Sequence, residues 1–164
     1  MSLENELKQK FRNEPQKAIL NILYTSYFIQ DRMNTLFKQY DITRQQYNVL
    51  RILRGQHPGH ASVNLIRERM LDKMSDASRI VERLRLKELV VRKNAEKDKR
   101  AVEVTITDRG LELLQEMEKP VEDFESLLRN LGEEETRQLN NLLDKVREGQ
   151  QRSEDSLKNT AALH

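Results

Sequence analysis

Between residues 62 and 107 the apolar spacing changes character, and that change limits the folds open to the chain. Up to Leu84 the apolar residues recur every three or four positions, as on one face of a helix. From Leu89 onward, Leu89-Val90-Val91-Arg92 and Val102-Glu103-Val104-Thr105-Ile106 are β-branched, and the second run alternates in and out. The segment therefore reads as a short helix, a turn, a basic helix, and two strands joined by the charged loop Lys93–Arg100.

The flanks are helical. From Pro15 to Tyr40, Ile19, Ile22, Leu23, Ile29, Met33, Leu36 and Phe37 mark an amphipathic helix of about seven turns. Pro15 suits its first turn. Asp41-Ile42-Thr43 breaks it, and Thr43 is the expected cap of a second helix with Tyr47, Leu50 and Leu53 inward. Gly55 and the Gln56–His60 loop end that helix. Ser62 is the expected cap of a third, which carries Leu65, Ile66 and Met70.

Leu71-Asp72-Lys73 is read as the turn. Ser75 or a near neighbour opens the fourth helix, which runs to Lys87 and buries Ala77, Ile80, Val81 and Leu84. Thr107 caps a further helix with Asp108 favourable at its positive end. Pro120 is expected to break or kink it, and Gly132 opens a last helix striped by Leu139, Leu142, Leu143 and Val146. The tail from residue 151 is expected to be flexible.

These elements predict a mainly α fold: a winged helix-turn-helix with a two-stranded β-wing, plus N- and C-terminal helices. The expected divisions are 1–40, an N-terminal helix of a dimerisation region; 41–107, the winged lobe; 108–150, C-terminal dimerisation helices; and 151–164, the tail. The terminal helices carry more apolar stripe than one small lobe covers, which predicts a dimer.

Composition narrows function. The chain has no Cys, which excludes disulfides, thiol catalysis and Cys-ligated zinc. No apolar run approaches the roughly 18 residues needed to span a bilayer, and the N-terminus lacks the apolar core of a signal peptide. A soluble cytoplasmic protein is expected. Net charge is only +2, but its distribution is uneven. Thr43–Arg100 holds 15 Lys and Arg against 7 Asp and Glu, or +8; the remainder holds 14 against 20, or −6. A basic middle between acidic flanks favours a polyanionic partner.

The residues at the centre suit double-stranded DNA. Small residues at the start of the fourth helix, Ser75, Asp76, Ala77 and Ser78, allow close backbone approach. Ser75 and the first-turn N–H groups suit a phosphate. Arg79, one turn in, suits guanine O6 and N7, and Arg83 and Lys87 suit phosphates. In the wing loop, Lys97, Lys99 and Arg100 surround Asp98, and an Arg at the tip suits the narrow minor groove.

The run Ile66–Leu84, the following Lys-Glu-Leu-Val-Val-Arg, the Asp98-Lys99-Arg100 triplet and Val104–Gly110 resemble the MarR family of bacterial transcriptional regulators. The resemblance is strong over Ile42–Leu114; the flanking helices match in placement. It implies a homodimer whose first, fifth and sixth helices interlock and whose fourth helices enter successive major grooves of a pseudo-palindromic operator. It implies a repressor released by a small aromatic or anionic effector held between the dimer region and the lobes. It also implies that Ser75, Asp76, Ser78 and Arg79 read bases or phosphates and that Asp98 and Arg100 form a wing pair. Two residues depart from the family pattern. Leu71 stands where many members have Gly in the turn. Glu88 stands where Gly commonly precedes the first wing strand, which asks an unusual backbone angle of a non-Gly residue.

Tyr24, Tyr27 and Phe28 on the first helix and Tyr47 on the second are candidates to line an effector pocket, or else to pack the core or an interface. His57 and His60 lie in a Pro/Gly loop without Cys or clustered carboxylates, so no metal or other cofactor is expected. No phosphate loop or nucleophile elbow occurs, so no enzyme is expected. The alternative function is a protein-interaction module on a winged-helix scaffold; the outward cations of the fourth helix weigh against it.

Overall fold

The computed structural model describes residues 2–94 and 102–161. The expected wing-tip residues Lys97, Asp98, Lys99 and Arg100 lie outside the described residues. The chain forms two compact units, Met1–Glu118 and Lys119–His164.

The first unit opens with a short helix α1 (Leu3–Leu7) and a long helix α2 (Glu14–Lys38). Asn13 caps α2 by accepting the Gln16 N–H at 2.9 Å, and Gln16 Oε1 accepts the Arg12 N–H in return. Pro15 sits in the first turn, as expected. The helix closes where Asp41 adopts φ 51°, in the left-handed region, and the Ile42 N–H donates to the Phe37 carbonyl.

Thr43 then caps α3 (Arg44–Arg54) through a full capping box. Its hydroxyl accepts the Gln46 N–H, and the Gln46 side chain accepts the Thr43 N–H. Gln46 is buried because that exchange satisfies it. Val49, Leu50 and Leu53 are the buried face of α3, and Tyr47 is only half-buried.

A two-residue strand β1 (Ala61–Ser62) leads straight into α4 (Val63–Arg69), capped by Ser62 as expected. Helix α5 spans Ala77–Leu86, and β2 (Val90–Asn94) and β3 (Val102–Ile106) form the wing. The antiparallel sheet order is β1-β3-β2, with Ala61 opposite Val104 and Val90 opposite Ile106. The third strand was not foreseen. Two residues are too few to show alternation, and only pairing with β3 makes them a strand. The core gathers where α3, α4, α5 and the sheet meet, around Leu50, Leu53, Ile66, Val81, Leu84 and Val104.

Glu88 has φ 60°, the backbone demand expected at that position. The Thr107 hydroxyl donates to the Glu88 carbonyl at 2.8 Å and accepts the Gly110 N–H at 3.1 Å. The entry to the wing is thereby tied to the N-terminus of α6 (Asp108–Glu116). Leu71 needs no left-handed backbone; among the described residues only Lys8, Asp41 and Glu88 have positive φ.

α6 ends at Glu116, and Pro120 lies four residues on, where its ring would meet the Glu116 carbonyl if the helix continued. α6 packs against α3 and belongs to the first unit, with Leu114 and Met117 buried. The first compact unit ends at Glu118.

α7 (Glu118–Glu122) and a 3-10 segment (Asp123–Leu128) lead to α8 (Glu133–Ala161). Glu135 accepts the Gly132 N–H at 2.8 Å where α8 begins. α8 is helical through Ala161. The sequence beyond Gly149 lacks Gly and Pro until the helix ends, so nothing local stops it. Among the described residues no helix is long and apolar enough to cross a membrane.

Candidate nucleic-acid interface

The turn between α4 and α5 is longer than expected, running from Met70 to Asp76. Its geometry follows from two side chains. Asn48 of α3 accepts the Leu71 N–H at 3.0 Å. Asp72 accepts the Met74 N–H at 3.0 Å and the Ser75 hydroxyl at 2.6 Å. Ser75 first, then Met74, hold the Asp72 carboxyl below the usual Asp range, because both donate to its ionised form.

With Ser75 engaged by Asp72, the cap of α5 falls to Asp76, whose carboxylate accepts the Arg79 N–H at 3.1 Å. The cap is thus the near neighbour of Ser75 that the sequence also allowed, and the Asp72 contact decides between them. Ser75 is half-buried and its hydroxyl faces the turn, whereas Asp76, Ser78 and Arg79 are exposed.

Along α5, Ala77, Val81 and Leu84 are buried and Ile80 is half-buried, so Ser78, Arg79 and Arg83 share the outward side. Among the described residues neither Arg79 nor Arg83 forms an ion pair. Lys87, expected to reach phosphate, is instead held by the Asp41 carboxylate at 2.5 Å and by the Asp41 carbonyl. Closure of α2 at Asp41 brings that carboxylate to the end of α5. Glu82 accepts the Arg85 guanidinium at 2.7 and 3.0 Å and stands 3.8 Å from Arg92 of β2. The Arg85 hydrogen bonds lower the Glu82 pKa. Arg85, Glu82 and Arg92 thus link helix to wing, and sequence reading had not singled out this link.

The comparisons agree with this geometry. The MarR family signature matches residues 40–101, from the close of α2 to the wing. Staphylococcus aureus MgrA, an HTH-type transcriptional regulator, is 30% identical over 113 residues, which cover 69% of this chain and 75% of MgrA. The chain belongs to the MarR family. A MarR transcription factor from Planctomyces limnophilus superposes with a TM-score of 0.64 at 32% identity, over 82% of this chain and 98% of its own. Bordetella bronchiseptica BpsR, whose DNA binding is regulated by 6-hydroxynicotinic acid, shares the fold at 24% identity. Its TM-score is 0.61 over 77% of this chain and 98% of BpsR. This MarR-family protein is a DNA-binding transcriptional regulator of winged helix-turn-helix type.

A cavity of about 650 Å³ lies beside the α4–α5 turn in the same unit. Gln30 and Met33 of α2, a stripe on α3 including Arg44, Tyr47, Asn48 and Arg51, and Arg69 to Asp72 line it. Arg44 donates to Gln30 at 3.0 Å, and Arg51 donates to the Tyr47 hydroxyl at 3.2 Å. Three arginines against one carboxylate make the wall cationic.

Of the aromatic candidates only Tyr47 lines this cavity, stacked on Phe37 at 4.8 Å. Tyr24 donates to Glu6 at 3.0 Å, Phe28 lies under the Arg32 guanidinium, and Tyr27 is 67% exposed. At 100° per residue, Tyr24 and Phe28 lie roughly 120° and 160° around α2 from Gln30. They therefore face away from α3. The polar stripe Arg44, Asn48, Arg51 at i, i+4, i+7 was the legible signal for the cavity. Among the described residues no cluster of three His, Asp or Glu could hold a metal ion.

Proposed function

We propose that the protein is a homodimeric cytoplasmic repressor that reads a pseudo-palindromic operator with paired α5 helices and releases it when a small anionic aromatic effector fills the Arg44–Arg51–Arg69 cavity. The observation that carries the DNA reading is the capped N-terminus of α5, which turns Ser78, Arg79 and Arg83 outward without intramolecular ion pairs among the described residues. Arg79 is the base reader in this scheme; Asp76, Ser78 and Arg83 position the helix on the backbone. Ser75 acts through Asp72 by fixing the turn. Lys87 reaches phosphate by exchanging Asp41 for it. Lys97, Lys99 and Arg100, with Asp98, serve the neighbouring minor groove.

The effector reading rests on the cavity wall. Guanidinium groups suit a carboxylate, and the Tyr47 ring with Met33 and Ile52 suits an aromatic body. 6-Hydroxynicotinic acid, which regulates the DNA binding of BpsR, is a small aromatic acid of the class proposed here.

Selection of bound duplexes from a random library tests the proposal. The expected motif has twofold symmetry with half-sites about 10 base pairs apart, centre to centre. Affinity should fall with salt by about 0.9 in log–log slope per phosphate contact. Equal affinity for the selected and a scrambled duplex defeats it. Arg51→Ala should abolish release by hydroxybenzoates or hydroxynicotinates while DNA binding persists.

A further inference from the structure

We infer that Met74 and Leu71, in the turn before α5, are base-reading residues that pack against thymine 5-methyl groups in the major groove. The inference rests on the proposed docking of α5 and adds an apolar element to its cationic one.

Met74 is 94% exposed and Leu71 is 89% exposed, beyond any other large apolar residue among those described. Neither hangs from a loose loop. The Leu71 N–H is held by Asn48, the Met74 N–H by Asp72, and Ser75 and Asp72 close the turn with two further bonds at 2.6 and 3.3 Å. Lys73, between them, donates to the Glu68 carbonyl. Backbone anchors thus set the turn while both apolar tips remain in water.

Charge decides what covers them. Lys73 and Arg79 are exposed beside the pair, and the exposed carboxylates of Asp72 and Asp76 are already engaged, by the turn and by the Arg79 N–H. A second copy docking symmetrically here would bring together two patches that each carry cations unpaired among the described residues, which offers those cations no phosphate-like partner. A duplex brings phosphates to the cations, and its major groove offers one apolar group, the thymine methyl. The Met thioether adapts to such a group without a fixed shape.

Replacing thymine by uracil removes the methyl and leaves every hydrogen-bonding atom, so it isolates this contact. On the selected duplex, single uracil substitutions at one or two positions per half-site should weaken wild-type binding about fourfold each, the effect of burying one methyl. Met74→Ala and Leu71→Ala should each erase the penalty at one position. Their affinity for scrambled duplex and their salt slope should match wild type.

A wild-type protein indifferent to uracil at every position overturns the inference, as does a double variant that keeps the full penalty. A double variant that changes only sedimentation also overturns it and assigns the patch to contact between copies. A protein that selects no motif overturns the DNA reading itself, a separate and recognisable result.

Discussion

Gly110 is buried where the wing meets α6, and its lack of a side chain is a packing requirement. A Cβ there would stand 2.4 Å from the Leu89 carbonyl oxygen and 2.7 Å from Ile106 Cγ1. Backbone and a core side chain on both sides leave little room to yield. Gly110→Ala should lower stability by about 2–3 kcal/mol in chemical denaturation; an unchanged midpoint would mean the wing entry repacks freely. Glu88, across that junction, holds φ 60°. Its carboxylate meets Arg109 at 2.6 Å, but both side chains are exposed and such a pair adds little. Glu88→Gly should therefore leave the midpoint equal or higher. Glu88→Val, with a branched side chain in left-handed backbone, should cost about 1–2 kcal/mol. A tolerant Val would show that the turn changes its conformation.

At the scale of elements, α5 depends on two carboxylates with separate tasks. Asp76 caps it, so Asp76→Ala should cost about 1 kcal/mol of stability and fray the first turn of α5. Asp72 holds the turn that precedes it. Asp72→Asn should speed hydrogen exchange at the Met74 amide, because the neutral amide is a weaker acceptor. In the wild type the Asp72 contribution is present above the ordinary Asp pKa and is lost as pH falls through its depressed folded value. Exchange at Met74 that stays slow in the Asn variant would assign the order of the turn to Asn48 instead. Elsewhere, Pro120 stands four residues beyond the last residue of α6. Pro120→Ala should raise helicity in far-UV circular dichroism by joining α6 to α7.

At the scale of the whole molecule, the proposed homodimer can be tested on apolar side chains that the single chain leaves exposed. Ile19, Ile22 and Leu23 on α2 are 60%, 43% and 47% exposed, and Leu142 and Val146 on α8 are 62% and 60% exposed. Stripes of this kind on two long helices usually mark an interface. Sedimentation should show a dimer, and Leu23→Asp with Leu142→Asp should shift it toward monomer. Affinity for the selected palindrome should then fall by ~10²-fold or more while half-site affinity holds, because linkage of two half-sites is lost. Full palindrome affinity in a monomeric variant would show that one winged lobe suffices.

What sequence alone determined was local. Thr43, Ser62 and Thr107 were legible as caps because a capping side chain reaches only three residues along the chain. Leu50, Leu53, Val81 and Leu84 were legible as core from spacing, and Glu88 as strained only through the glycine that the family resemblance implies there. Tertiary structure decided everything that depends on the approach of distant residues. β1 exists only because β3 pairs with it. Ser75 yields the cap of α5 to Asp76 because the folded turn turns its hydroxyl toward Asp72. Tyr47, and not Tyr24, Tyr27 or Phe28, lines the cavity because the packing of α2 on α3 selects one face of each. Periodicity states which residues share a face; only the angles between elements state what that face meets.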